Sequence, residues 1–110
     1  MSIRVRLGAL ADLPLGRGMC VEVVGHRIAL FRIEDVVYAI GDRCTHAEAS
    51  LAEGEVFDLL VECPRHGSEF DLRTGEPGSF PATRPVAVYE VEIVDGEVFT
   101  TVEPIEEADD

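Results

Sequence analysis

The sequence predicts an all-β protein, an antiparallel β-sandwich or barrel, and three observations support this fold class. Short segments rich in Val, Ile, Phe and Tyr recur along the chain, and several alternate apolar with polar residues as a half-buried strand does. Turn signals separate them at Gly25-His26, Glu34-Asp35 and Asp95-Gly96, the last being a strong hairpin dipeptide. No segment shows the periodicity of an amphipathic helix. Many short strands joined by turns are typical of sandwiches and small barrels.

About nine strands are expected, and two longer segments interrupt them. Residues 44–55 begin with cysteine and histidine, and residues 73–85 are rich in glycine and proline, so neither is expected to be regular structure. Long loops in a compact domain commonly carry function. The predicted strands cover residues 3–7, 20–24, 28–33, 36–40, 56–63 (as one or two strands), 68–72, 86–94 and the segment after Asp95-Gly96.

Length and charge restrict the class of protein. The chain has 110 residues and a net charge of −13, which fits one domain over residues 1–102 and an acidic tail, residues 103–110, expected to be disordered. The acidic balance argues against nucleic-acid binding and against an anionic membrane surface. No apolar run reaches the roughly 18 residues of a membrane span. Asp12 and Pro14 interrupt the apolar part of the N-terminus, so a cytoplasmic protein is expected.

The three cysteines favour a metal or catalytic role over a disulfide framework. Their number is odd and no secretory signal is recognisable. Cys20 opens a predicted strand without a metal-ligand residue nearby, and we expect it to be a small buried hydrophobe. The other two cysteines each stand beside a histidine.

These pairs are Cys44 with His46, in the order C-x-H, and Cys63 with His66, in the order C-x-x-H, with sixteen residues between the pairs. Residues two apart in an extended loop point the same way, and a turn stiffened by Pro64 lets residues three apart do so. Two thiolates and two imidazoles suit zinc or an iron–sulfur centre. Structural Cys₂His₂ zinc sites usually pair like residues in each half, whereas this chain pairs unlike ones.

The motifs C-T-H and C-P-R-H-G-S resemble the Rieske [2Fe–2S] signature, with all four ligand positions filled. The approach V-V-Y-A-I-G-D-R to the first motif, the D-L-R-T-G segment after the second, and the Gly/Pro-rich loop are also similar to that family. In length and loop pattern the chain resembles the soluble ferredoxins of bacterial ring-hydroxylating dioxygenase systems.

The resemblance implies one Rieske-type [2Fe–2S] cluster in a small cluster-binding subdomain, residues 43–85. Cys44 and Cys63 would hold the inner iron, and His46 and His66 the outer, more exposed iron. Four further residues would shape the surroundings of the cluster: Pro64, Gly67, Ser68 and Pro81. Because neutral imidazoles replace two thiolates, such a cluster accepts an electron more readily than a four-cysteine cluster.

The resemblance also implies a function without substrate turnover of its own. The chain would carry single electrons from a flavin-dependent NAD(P)H reductase to a terminal oxygenase component, docking transiently with each. Respiratory relatives have an extra cysteine in each loop and a tyrosine two residues after the serine. This chain has Arg65 in the second loop and Phe70 at the tyrosine position. Fewer hydrogen-bond donors to the cluster predict a potential near the lower end of the Rieske range.

Three alternatives remain open on sequence alone. A zinc-stabilised Cys₂His₂ binding module would contain no iron or sulfide. The small subunit of assimilatory nitrite reductase shares the Rieske fold, but many of its members lack the cluster ligands. A regulatory or relay subunit would co-purify with a large haem or flavin protein.

Overall fold

A computed structural model describes residues 1–44, 49–65, 67–78 and 84–105. Within these ranges the chain forms ten strands and two single-turn 3-10 helices, Leu10–Asp12 and Leu51–Glu53, and the all-β prediction is confirmed. The strands are β1 (Ile3–Ala9), β2 (Gly18–Val23), β3 (His26–Ile33), β4 (Val36–Gly41), β5 (Val56–Phe57), β6 (Leu60–Glu62), β7 (Glu69–Asp71), β8 (Val88–Tyr89), β9 (Glu92–Val94) and β10 (Glu97–Val102).

The strands form three antiparallel sheets. The largest has the order β2-β3-β4-β8, an outer sheet has the order β1-β10-β9, and a small sheet has the order β5-β6-β7. The small sheet comes entirely from the segment between Cys44 and the glycine-rich loop, within the predicted cluster-binding subdomain.

Strand β3 explains how these parts pack. Its residues Ile28 to Phe31 are all almost completely buried. Ile28 and Leu30 join one apolar cluster with residues of β1 and β10, whereas Ala29 and Phe31 join a second with residues of the small sheet. Successive strand residues point to opposite faces. The four-stranded sheet therefore has apolar neighbours on both faces, which is why the sequence I-A-L-F lacks polar alternation.

The predicted hairpins are present, with one shift. The β3–β4 turn lies at Glu34-Asp35 and the β9–β10 turn at Asp95-Gly96, where both residues have positive φ (49° and 76°). The β2–β3 turn is Val24-Gly25 rather than Gly25-His26. Its φ values of 42° and 88° show the left-handed backbone that tight hairpins need at both central residues.

The prediction of a single strand over residues 86–94 was wrong. The chain forms β8 in the four-stranded sheet and β9 in the outer sheet, crossing between them at Glu90-Val91. At the crossing the Thr100 hydroxyl donates a 2.6 Å hydrogen bond to the Glu90 carbonyl. The alternating pattern continues through the crossing, because alternation depends only on which side of the chain packs against apolar residues. It does not indicate which strand the segment pairs with.

The residues after β10 run against the β2–β3 turn. The Ile105 amide donates to the Val24 carbonyl at 2.8 Å, and His26 Nε2 lies 2.6 Å from the Glu103 carbonyl oxygen. The structure thus places the first three residues of the predicted tail, 103–105, while residues 106–110 lie outside the described ranges. Among the described residues, no helix is long and apolar enough to span a membrane.

Candidate metal centre

The first predicted ligand loop begins directly after β4 and is closed at its base. Arg43 and Ser50 form an isolated antiparallel bridge, and the Cys44 amide donates to the Ala49 carbonyl at 3.1 Å. Cys44 is 3% exposed. The backbone hydrogen bonds therefore fix this cysteine at the point where the loop leaves the sheet.

The second loop follows β6 and is closed by two hydrogen bonds. The Cys63 amide donates to the Ser68 carbonyl at 2.7 Å, and the Gly67 amide donates to the Cys63 carbonyl at 3.0 Å. Gly67 has φ +75°, a conformation that favours glycine. Pro64 and Gly67 are exposed, whereas Ser68 is buried.

The fold brings the two cysteines into one buried environment. Both belong to a single apolar cluster, and neither forms a disulfide. Two buried, unbridged sulfurs from separate loops are suitable soft donors for one metal centre, so the described half of the predicted ligand set fits an iron–sulfur cluster. The other members of the apolar cluster are Ala29, Phe31, Ile40, Leu51, Ala52, Val61, Phe70, Leu72 and Val86.

Three predicted site residues, His46, His66 and Pro81, lie outside the described residues. Within the described ranges there is no group of three or more Cys, His, Asp and Glu side chains suited to a metal. Of the four predicted ligands, the structure therefore describes the surroundings of Cys44 and Cys63.

The D-L-R-T-G segment forms a compact turn after β7. The Asp71 carboxylate accepts hydrogen bonds from the Arg73 amide at 2.7 Å and from its guanidinium at 3.0 Å. The Arg73 side chain beside it holds the pKa of Asp71 below its usual value. The Gly75 amide then donates to the Asp71 carbonyl, and the Val86 amide to the Gly75 carbonyl. These bonds tie the start and the end of the Gly/Pro-rich loop together.

Sequence reasoning missed Asp42, a completely buried carboxylate two residues before Cys44. Its Oδ1 accepts hydrogen bonds from the Ser50 hydroxyl at 2.7 Å and the Ala52 amide at 3.0 Å. Its Oδ2 accepts a hydrogen bond from Arg27 Nε at 3.0 Å. The sequence did offer one sign of this role, an aspartate directly after the apolar strand V-V-Y-A-I-G. An aspartate buried at such a position needs a partner for its charge, because unpaired aspartates are rarely buried.

The expectation that Cys20 is buried was wrong. This residue lies on β2 with its side chain exposed. Partial desolvation of its thiol still raises the pKa of Cys20, and a hydrogen bond with Arg27 opposes that rise. On β2 the partly buried Met19, Val21 and Val23 alternate with the exposed Cys20 and Glu22, so Cys20 lies on the face of the strand opposite those core-packed residues.

Comparison with known proteins identifies the class of protein. The model of the Rieske [2Fe–2S] domain matches residues 4–90, and the chain therefore belongs to this family. Membership confirms the predicted cofactor, one Rieske-type [2Fe–2S] cluster.

The relatives confirm the resemblance to dioxygenase ferredoxins. The ferredoxin subunit of anthranilate 1,2-dioxygenase from Burkholderia cepacia is 51% identical over 78 residues, 70% of this chain and 72% of that protein. A chain in the complex of reduced oxygenase and oxidised ferredoxin of carbazole 1,9a-dioxygenase is 40% identical, with a TM-score of 0.85 over 96% of this chain and 98% of that one. A solved structure that carries the name "putative nitrite reductase NADPH (small subunit)" is 30% identical, with a TM-score of 0.80 over 89% and 97% of the two chains.

Proposed function

We propose that this protein is a one-electron carrier that receives electrons from a flavin-dependent NAD(P)H reductase and passes them to a terminal oxygenase. The observation that carries the proposal is that Cys44 and Cys63, from two separate loops, lie in one buried group of apolar residues and form no disulfide. The proposal is further supported by relatives that are ferredoxin subunits of dioxygenases. The partner oxygenase is proposed by analogy with the carbazole 1,9a-dioxygenase complex of oxygenase and ferredoxin.

Four residues would hold the cluster: Cys44 and Cys63 on the inner iron, and His46 and His66 on the outer iron. When bound, the cluster supplies a site that accepts and releases one electron at a higher potential than a four-cysteine cluster does. The apolar residues around the two cysteines would exclude water from the iron that these cysteines hold. The turn at Pro64, Gly67 and Ser68 holds Cys63 in place, and Pro81 would contribute to the covering loop.

The chain's other residues would position the cluster and attract partner proteins, and we propose none that reacts with a substrate. We therefore propose no substrate turnover by this protein itself. Its net charge of −13 would favour association with a basic patch on either partner, in a salt-dependent manner. We place this activity in the cytoplasm, because Cys20, the cysteine outside the proposed ligand set, is exposed and unbridged, which suits a reducing compartment.

Absorption and low-temperature EPR spectra, before and after dithionite, test the cofactor part of this proposal. A red-brown oxidised protein, and an EPR signal that appears only on reduction, are expected for a Rieske cluster. A colourless, EPR-silent protein that contains zinc would instead show that the two motifs form a structural zinc site. Stopped-flow oxidation of the reduced protein by candidate oxygenases then tests the direction of transfer.

A second candidate function is supported by the likeness to the nitrite reductase small subunit, at 30% identity. In that case the chain would act as a stable subunit rather than a transient carrier. Co-purification with a large reductase subunit through gel filtration would favour it, whereas elution as a separate small protein that exchanges electrons with an oxygenase would exclude it.

We expect a midpoint potential of about −150 mV, near the lower end of the Rieske range. Phe70 is completely buried in the cluster of residues around Cys63, and it has no hydroxyl to donate to a cluster sulfur. Phe70→Tyr is expected to raise the potential by about 40 mV, since a net hydrogen bond contributes about 1 kcal/mol and about 59 mV is tenfold for one electron.

Spectroelectrochemical titration of both proteins measures this shift. Phe57→Tyr is the matched control, because Phe57 lies on β5 of the same small sheet but is 47% exposed. A wild-type potential well above zero, or equal shifts in the two variants, would contradict the explanation based on missing hydrogen-bond donors.

A further inference from the structure

The strand end that precedes the first ligand loop carries a half-buried ion pair between Arg27 on β3 and Asp42 just beyond β4. Asp42 is completely buried, whereas the Arg27 side chain is 49% exposed, and their Nε–Oδ2 distance is 3.0 Å. The backbone strengthens the same contact, because the Asp42 amide donates to the Arg27 carbonyl at 3.1 Å. The buried charge thus has its partner on the neighbouring strand of the four-stranded sheet.

The other side of Asp42 holds the far end of the loop. The Leu51 amide donates to the Asp42 carbonyl at 2.6 Å, and the Ala52 amide and the Ser50 hydroxyl both donate to Oδ1. These two amides open the 3-10 helix Leu51–Glu53, and the side chain of its N-cap residue, Ser50, makes no capping bond to it. Asp42 therefore takes the capping role from outside the helix.

From this geometry we infer that Asp42, paired with Arg27, is a positioning residue for the cluster: it clamps both ends of the loop that carries Cys44 and His46 and sets the charge at the base of that loop. The inference rests on the proposed function, since it takes that loop as half of the ligand set. One carboxylate joins the strand end to residues 50–52, so the loop is closed by a buried charge as well as by the Arg43–Ser50 bridge.

Two consequences distinguish this role from a general contribution to folding. A weaker clamp lets the two described ends of the loop separate more often, which would make release of a bound cluster faster. The pair also contributes one negative and one positive charge close to Cys44, because Asp42 stands two residues before that proposed ligand. Removing the negative charge favours the reduced, more negative cluster, and removing the positive charge disfavours it.

The test compares Asp42→Asn and Arg27→Gln in the cluster-loaded full-length protein. In Asp42→Asn the amide oxygen can still accept from Ser50 and Ala52, but its NH₂ group cannot accept from Arg27. We expect a cluster half-life about tenfold shorter under chelator challenge in this variant, because a buried charge-assisted hydrogen bond is lost. The midpoint potential should rise in Asp42→Asn and fall in Arg27→Gln.

The matched control is Glu97→Gln, which removes another Arg–carboxylate pair, with an Arg6 Nε–Glu97 Oε2 distance of 2.8 Å, on the outer sheet. It should leave half-life and potential at wild-type values. Wild-type half-lives in both test variants, or potential shifts of the same sign in both, would overturn the inference. Should Asp42→Asn not fold, Arg27→Gln decides the result, because Arg27 is half exposed. A wild-type protein without a cluster would overturn the proposed function itself, a result separate from any variant's behaviour.

Discussion

Replacing Cys63 with serine is expected to abolish cluster binding, with loss of the visible absorbance and of the reduced EPR signal. Cys63 is completely buried in the apolar cluster that also contains Cys44. A serine hydroxyl at this position is a harder donor than a thiolate and a poor ligand for iron–sulfur clusters. The measurement is iron and acid-labile sulfide per protein chain, together with the EPR spectrum after dithionite reduction.

The matched control is Cys20→Ser, which changes the exposed cysteine on β2. This variant should retain wild-type iron, sulfide and EPR intensity, because Cys20 is no part of the proposed ligand set. Circular dichroism shows whether each variant keeps its β-structure. A fully loaded Cys63→Ser protein with an unchanged spectrum would remove Cys63 from the ligand set and contradict the proposed site.

Gly18→Ala is expected to destabilise the protein by about 3 kcal/mol, at the upper end for overpacking a buried position. Gly18 begins β2 and faces the 3-10 helix that follows the first ligand loop. A Cβ atom here would lie 2.6 Å from the Ala52 Cα, 2.6 Å from the Ala52 carbonyl oxygen and 2.7 Å from Cε1 of Phe31. Two of these contacts are backbone atoms, so either the strand or the helix must move.

Thermal unfolding of the cluster-loaded protein, at one fixed scan rate, measures the effect as a fall in Tm of about 10 °C. Gly41→Ala is the control, because a Cβ at this position on β4 meets its nearest neighbour, the Ala87 amide nitrogen, at an ordinary 3.6 Å. That change should leave the free energy of unfolding unchanged or raise it by up to about 1 kcal/mol, because alanine loses less backbone entropy on folding than glycine does. Equal losses in both variants would show that the close approach at Gly18 is not the cause of the destabilisation.

The strands and turns were largely predictable because their causes are local. Alternating apolar residues, the Glu34-Asp35 and Asp95-Gly96 turns, and the two Cys/His pairs depend only on neighbouring residues. Where partners are distant in sequence, prediction was incomplete. Residues 86–94 alternate without interruption, yet the chain changes sheets at Glu90-Val91, since a period of two does not encode the neighbouring strand.

The sequence by itself determined the all-β class, the family resemblance and the candidate ligands Cys44, His46, Cys63 and His66. Only the tertiary structure decided that Cys20 is exposed, that Cys44 and Cys63 share one buried environment, and that Asp42 joins β3 to the far end of the first loop. Candidate metal ligands can be predicted from residue types and their spacing, because a metal needs particular donor atoms close together. Burial and hydrogen-bond partners come from residues brought together only when the sheets pack.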